Sequence, residues 1–562
     1  MNEVKPGATV APILISTDKT KLTHFVGGKV AYPVYLTVGN IPKRIRRKPS
    51  QHACVLIAYL SVDKIDRSAM GMSDQEHRIR VQRVFHEAMR VVLEPLIEAG
   101  KKGVEMASSD GSIRDVFPLI SCYAADYPEQ CLVACTKYGT CSKCRVKATG
   151  LGNLEPAEAR TATWTTSIIR EARNYSEAAK GTPVTKSRQF HTQCMSHDVA
   201  GTVYRPFWTG FPLCDIHQAI VPDVLHQLYQ GVFKHLVGWC QKALGATRLD
   251  ARIRALPPSY GVRHFKNGIS VLSQISGGER KNMAKILLGC LIGVMPKDGV
   301  LAVAALLDFI YIAQYSAHNP TTLGYLDDAL RRFHQNRDYF IKIGVREDFN
   351  IPKFHSLLHY ITSIKLFGTT DNYNTELFER LHIDFAKEGW RASNQRDEFP
   401  QMIQWLSRHE KIAAFEAYVK SLQTNAQPNA SPDAPLPLST TLTCTPPHIS
   451  IAKHPAFPKC PITIVQEKHN APHFDHSLKV YINALLPTPL PLSQLDDHRL
   501  PFTRVHIFNQ FYLHLSAIHD DEPDSPDIVR ALRKSQTHPY GRFDTVVVLV
   551  DDSAESTGLA GW

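Results

Sequence analysis

Long uninterrupted apolar runs are missing from this 562-residue chain. Its most apolar stretch, ILLGCLIGVMPKDGVLAVAALLDFIYIA, is broken by Pro296, Lys297, Asp298 and Gly299. Each half is too short to span a bilayer, so two buried helices are expected and a membrane partner is not. Cysteine is sparse: twelve residues are scattered through the chain. That excludes the dense disulfide framework of a small secreted domain. The first residues, MNEVKPGATVAPILIS, lack a charged segment followed by an apolar core, so no signal peptide is expected. No internal repeat is visible. These absences together favour a soluble intracellular protein.

Hydrophobic residues make up 43% of the chain, ample for burial, and the length exceeds what one core serves. Two to four domains are expected. Lys and Arg outnumber Asp and Glu by 64 to 53, a net charge of +11. The isoelectric point near 9.0 leans towards an acidic partner such as nucleic acid.

The N-terminal part reads as strands. APILIST, AYPVYLTVG and HACVLIAYL are short apolar, β-branched and aromatic runs bounded by Gly, Pro and polar residues. DQEHRIRVQRVFHEAMRVVLEPLIEAG then changes to helical spacing. Ile79, Val81, Val84, Phe85, Met89, Val92, Leu93 and Leu96 are expected on one side, and Gly100 reads as the stop. A fourth strand, RDVFPLISCYAAD, ends at Asp126. Residues 150–200 are polar and loosely periodic, and 215–345 read as mostly helical. QPNASPDAPLPLSTTLTCTPP is a Pro/Ser/Thr-rich linker with no means of building a core. The segment after it holds one strong strand, FDTVVVLV, and stops so soon afterwards that truncation is expected.

Asp18 and Asp126 each follow an apolar strand, where sites gather in sheets with parallel strands. Two such carboxylates suit hard divalent cations and in-line attack on a phosphodiester. The alternative is that each Asp caps a turn. A third carboxylate is offered by DNYNTELFERLHIDFAKEGWR, a helix with Asn374 as N-cap. Glu376 and Glu379 are three apart and point the same way; otherwise they are solvated surface glutamates.

Cys141 and Cys144 form a Cys-x-x-Cys turn, and His355 and His359 are four apart in a helical segment. Joined, they make a Cys₂His₂ zinc set. Apart, they are two buried or redox-active thiols and two core histidines. The joined reading would bring a late helix back to the early sheet and close the long intervening loop. In PDVLH, Asp223 and His226 share one helix turn, either as a helix start favoured by the macrodipole or with a catalytic part. PKRIRRKPS places Lys43, Arg44, Arg46, Arg47 and Lys48 within six positions. Such a run contacts DNA phosphates, or is a solvated loop or a nuclear-import signal.

Several stretches, in order, carry a family resemblance. AYPVYLTVGNIPKRIRRKPS, YAADYPEQCLVACTKYGTCSKC, PDVLHQLYQGVFKHL, PKFHSLLHYITSIKLFGTTDNYNTELFERLHIDFAKEGWRASN and DEFPQMIQWL resemble the Plavaka transposases, fungal relatives of the CACTA (En/Spm) group of cut-and-paste DNA transposons. The resemblance runs from about residue 10 to about 415. It implies an α/β fold with an RNase H-like catalytic core, a large mostly helical insertion and a DDE triad. Onto this sequence it carries Asp18, Asp126 and Glu379, the last because FERLH resembles the Phe-Glu-Arg of the CACTA relatives, with Glu376 as fallback. PDVLH resembles the Asp-x-x-His of such insertions. The related V(D)J recombinase catalytic subunit uses a Cys-x-x-Cys and a later histidine pair for zinc, which supports the set Cys141, Cys144, His355 and His359.

The domains implied are 1–140, the first part of the core, and 141–350, the insertion. Residues 351–422 return to the core with the His pair and the Glu379 helix, 423–460 are linker, and 461–562 a small C-terminal segment. The function implied is DNA cleavage and strand transfer with Mg²⁺ or Mn²⁺ at the carboxylates and a structural Zn²⁺. Transposon ends and target DNA would be the partners, with self-association on DNA, in the nucleus. Two rivals stay open: a catalytically silent DNA-binding or scaffold protein derived from a transposase, and a nuclease that cleaves without joining.

Overall fold

The alternating apolar residues near the N-terminus build a five-stranded sheet. Its strands are β1 (Thr9–Thr17), β2 (Pro33–Val38), β3 (Cys54–Tyr59), β4 (Val104–Ala107) and β5 (Ile113–Ala124), in the order β3-β2-β1-β5-β4. β1 pairs antiparallel with β2, and β2 with β3, whereas β1 and β5 run parallel. The β1–β5 register shifts between Ile13 and Leu14. This computed structural model describes residues 7–425, except 24–27, 64, 67, 69, 109–110 and 260. It also describes 448–543, except 453, 469–472, 487–488, 515–526 and 533–541. The chain divides into two compact units, residues 1–428 and 429–562.

The period-2 pattern of β1 explains how both faces of the sheet are covered. Ile13 and Ile15 pack with Phe85, Met89 and Leu93 of the long helix α1 (Asp74–Lys102). Leu14, on the other face, packs with Tyr35, Cys122, Tyr373, Phe378 and Leu381. Helix α1 begins at a capping box made by Ser73 and Glu76 and ends at Gly103, whose φ is +77°. Its buried stripe is narrower than the spacing predicts, because Val81 and Val84 are exposed. β4 was not expected: all four of its side chains are exposed, so it has no burial alternation to betray it.

After β5, Asp126 starts α2 (Tyr127–Val133). Residues 150–200, read as loosely periodic, contain α3 (Ala162–Ala178) and α4 (Pro183–Ser196). Ile220 then makes a parallel bridge to Tyr123 of β5. The helical body follows as the π-helical α5 (Val224–Phe233), α6 (Lys234–Leu244), α7 (Gly277–Leu291), α8 (Lys297–Ile312) and α9 (Pro320–Asn336). The two halves of the broken apolar stretch are α7 and α8, whose Leu287, Leu291, Val303 and Leu306 are buried in one core. No helix among the described residues is long and apolar enough to cross a membrane.

The histidine segment is α10 (Pro352–His355), a 3₁₀ turn (Ser356–His359) and α11 (Tyr360–Phe367). Its Phe354, Leu357, Tyr360 and Ile364 belong to the core of the helical body. The return to the sheet comes with α12 (Thr375–Leu381), followed by α13 (Glu398–Asn425).

Residues 429–562 hold an antiparallel four-stranded sheet of His448–Ile451, Gln510–His514, Asp527–Leu532 and Arg542–Phe543. They also hold a strand pair, Phe457–Pro461 with Arg504–Ile507. This is more β-structure than the one strand expected. The Pro/Ser/Thr-rich stretch 427–447 and residues 544–550 of the expected last strand lie outside the described residues.

Ile15 is 0% exposed and Ile113, on β5, is 72% exposed. Ile15→Ala should cost about 2–5 kcal/mol of stability, and Ile113→Ala no more than about 0.5 kcal/mol. Urea denaturation followed by circular dichroism measures both; equal midpoints would contradict the packing described.

Candidate active site and metal clip

Asp18 follows β1 directly, and its half-buried carboxylate lies 3.4 Å from Nε2 of His382. Nδ1 of that ring is 3.0 Å from the hydroxyl of buried Tyr35. His382 follows α12, three positions after Glu379 and hence on its side of the helix. Asp126 caps α2, its Oδ1 accepting from the backbone N–H of Glu129 at 3.0 Å. Burial pushes the Asp126 carboxyl above its ordinary value; the helix-cap bond and His226 oppose this, while Asp18 and Asp223 add to it. Asp126 therefore lies within electrostatic range of Asp18, Asp223 and His226.

Asp223 is the most enclosed of these groups, its side chain 1% exposed. It caps α5 through Leu225 N–H (3.2 Å) and His226 N–H (2.8 Å). It also accepts from Thr375 Oγ1 at 2.7 Å and meets His226 Nδ1 at 2.6 Å. Burial works against its charge, yet these hydrogen bonds hold it below the usual carboxylate value. The other nitrogen of His226 lies 2.9 Å from Oε1 of Glu379. Burial disfavours charge on His226 too, but Asp223 and Glu379 outweigh it and raise the imidazole to about 11. The helix-start reading of Asp223 thus describes its backbone bonds, while its side chain also fixes His226.

Glu379 and Glu376 part company. Glu379 meets His226, whereas Glu376 pairs with Lys281 of α7 and accepts from Asn374 Nδ2 at 3.1 Å. Lys353 donates to the His226 carbonyl at 2.8 Å. It approaches through the gap at Gly231, where a β-carbon would collide with its stem.

Cys141, Cys144, His355 and His359 are all buried and offer ligand atoms within 4.8 Å of one another. Sγ of Cys141 is 3.3 Å from His359 Nε2, and Sγ of Cys144 is 3.1 Å from His355 Nε2. Tetrahedral zinc would set sulfur and nitrogen about 3.6 Å apart. The donor set therefore fits zinc: two sulfurs and two imidazoles, the four ligands grouped there among the described residues. His355 Nδ1 lies 3.3 Å from the Leu151 carbonyl, which fixes the tautomer leaving Nε2 for a metal. Hydrogen bonding from Cys141 pulls the Cys144 thiol down, and burial drives the Cys141 thiol up.

The basic run is turned inward. Arg46 is 5% exposed and donates to the carbonyl (3.2 Å) and Oδ1 (2.9 Å) of Asn372. Arg47 and Lys43 meet Asp371 at 3.0 and 3.3 Å, and Lys43 reaches the Ser316 carbonyl at 3.1 Å. Arg44 is exposed and Lys48 half-buried.

Sequence reasoning missed Glu129, His382, Thr375 and Lys353. Two carried a local signal. Glu129 is three residues past the cap Asp126, the capping-box spacing, and His382 shares a helix face with Glu379.

Two outcomes follow from this geometry. The purified chain should carry about one zinc, and Cys144→Ser or His359→Ala should lose it and unfold at lower temperature; atomic emission and calorimetry measure this. A raised imidazole pKa means that the His226 pairings stabilise fully below about 6.5 and fade only as pH rises through about 11. Glu379→Gln should move the His226 titration downward in NMR; an unmoved titration would show that Glu379 does not hold it.

Residues 1–240 match the family model described as Plavaka transposase, and residues 419–561 match one described as a domain of unknown function (DUF6830). No curated protein matches the chain. The first match takes in Asp18, Asp126, Cys141, Cys144, Asp223 and His226; His355, His359 and Glu379 lie beyond it. By that match, the N-terminal 240 residues, with the sheet and the start of the helical body, are similar to the Plavaka transposases.

Proposed function

We propose that this chain is a DDE-type DNA transposase in which Asp18, Asp126 and Glu379 hold Mg²⁺ or Mn²⁺. The observation that carries this reading is a convergence. Asp18 reaches His382, Glu379 reaches His226, and Asp126 lies within electrostatic range of both Asp18 and His226. These contacts support a reading in which three carboxylates from distant parts of the sequence serve one site. Strand order supports an RNase H-like core: three antiparallel strands, a covering helix, and β5 parallel to β1. The helical body enters after Asp126 and ends before Glu379, as an insertion would.

The donor atoms suit the cations. All three groups are carboxylates, which hard cations prefer, and Asp126 is a half-buried acid that gains from nearby positive charge. Bound there, the ions would supply Lewis acidity and an activated water or DNA 3′-hydroxyl. The chain's own residues do the positioning. His226 orients the Glu379 carboxylate, Asp223 and Thr375 orient His226, and His382 with Tyr35 orients Asp18. Glu379 is favoured over Glu376 because Lys281 draws Glu376 towards α7. A zinc ion in the Cys₂His₂ set is structural in this reading, since four protein ligands leave no open position.

DNA is the substrate and partner that a transposase implies. Within the basic run, Arg44 is the residue placed to meet a phosphate, since Arg46 is buried against Asn372. Joining two transposon ends requires more than one copy on DNA, and the nucleus is the compartment assigned.

The test is cleavage and strand transfer of DNA bearing the matching element ends, with Mg²⁺ or Mn²⁺. The wild-type chain should cleave, and Asp18→Asn should lose at least about a hundredfold, a barrier rise of about 2.7 kcal/mol, with DNA binding kept. Cleavage by Asp18→Asn at the wild-type rate would reject the assignment. A wild-type chain that binds the ends without cutting them would support the silent alternative.

A further inference from the structure

We infer that Glu129 is a positioning residue that sets Asp18 against Asp126; this rests on the metal-dependent reading above. Glu129 sits on α2, one turn past Asp126, and its backbone N–H holds Asp126 Oδ1 at 3.0 Å. In an ordinary capping box its side chain would fold back onto the N-cap N–H. Here it crosses to β1. Its Oε1 accepts from the Thr17 hydroxyl at 2.6 Å and from the Tyr32 phenol. Thr17 is the last residue of β1, so the next residue is Asp18.

The Thr17 hydroxyl is also 2.8 Å from the hydroxyl of Tyr123, on β5 three residues before Asp126. With Thr17 donating to Glu129, Tyr123 donates to Thr17. Thr17, Tyr32 and Tyr123 are all buried. One carboxyl group therefore ties together the strand end that presents Asp18, the strand that leads to Asp126, and the helix that Asp126 caps. Asp18 is half-exposed and, among the described residues, its side chain meets His382 at 3.4 Å. Partners of this kind fix ligand geometry, and losing one commonly weakens metal affinity by about tenfold or more.

A brace and a direct metal ligand make opposite demands on Glu129. The brace needs one oxygen acceptor, which an amide supplies; a ligand needs the charge. The experiment measures Mn²⁺ affinity of the full zinc-loaded chain by electron paramagnetic resonance. Glu129→Gln should bind within about threefold of wild type, and Glu129→Ala about tenfold more weakly. Thr17→Val, which removes no carboxylate, should lose about as much as Glu129→Ala, and the double variant no more than either alone. Zinc content and thermal midpoint identify a variant that has not folded; Thr17→Val then decides.

Glutamine binding as weakly as alanine, or a Thr17→Val loss that adds to that of Glu129→Ala, would overturn the brace. So would alanine binding like wild type. Failure of the wild-type chain to bind Mn²⁺, or binding unaffected by Asp126→Asn, would instead defeat the metal-dependent reading itself.

Discussion

A carboxylate shut away from water must be met by donors, and Asp223 is such a group. Leaving a buried charge uncompensated costs several kcal/mol. Asp223 avoids that cost through four donors: two N–H groups of its own helix start, Nδ1 of His226 and the hydroxyl of Thr375. Thr375 is the first residue of α12, far along the chain. Satisfying Asp223 therefore requires α12 to dock against the start of the helical body. Once docked, α12 presents Glu379 to the second nitrogen of His226. The position of the last carboxylate is thus a consequence of an electrostatic demand made by a residue of the helical body. A separate bond ties α11 to the same turn, since the Tyr360 hydroxyl donates to the Asp223 carbonyl at 3.2 Å.

The metal clip acts on the same turn from the other side. The Ser142 carbonyl, between the two cysteines, is 2.7 Å from His217 Nδ1. Half-buried Lys143 donates to the carbonyls of His217, Gln218 and Ile220. Arg160 donates to the carbonyls of Cys141 and Cys144 at 2.9 and 3.1 Å, fixing the knuckle's own backbone. These contacts hold the segment that runs through Ile220, bridged to β5, into Asp223. Closing the long loop between Cys144 and His355 opposes folding entropically, and a metal bound at its ends offsets that. The clip and the site are therefore adjacent parts of one assembly rather than a staple placed remotely.

The sequence made some of this legible and hid the rest for physical reasons. Strands β1, β2, β3 and β5 and helix α1 showed because burial imposes periods of 2 and 3.6 on their apolar residues. β4 imposes none, since its side chains all face solvent, and it was missed. The four clip residues could be named from type and spacing, because soft ligands in pairs are rare outside metal sites. Their meeting could not, as 211 residues separate Cys144 from His355. Glu129, Thr375 and His382 were passed over because a glutamate, a threonine and a histidine on helix starts and faces have ordinary surface duties. Only tertiary contact distinguishes a brace from a cap. The broken apolar stretch forms two helices, because Pro296 begins a new one, α8, rather than continuing α7.

The basic run shows why net charge does not locate an interface. Several of its cations are engaged inside the fold: Lys43 and Arg47 meet Asp371, and Arg46 meets Asn372. Those partners lie in the turn that leads directly into α12. Thr370 of that turn is itself anchored, its hydroxyl donating to the Ala313 carbonyl at 2.8 Å. The run thus holds the approach to the helix carrying Thr375 and Glu379. An arginine in such a bidentate, buried setting contributes by geometry, and lysine would not replace it. Neutralising the run would loosen the carboxylate helix whether or not DNA ever touched it. Under the proposed function, a fall in DNA processing after such a change would follow from a displaced Glu379 as readily as from a lost phosphate contact. Exposure alone distinguishes Arg44 within the run.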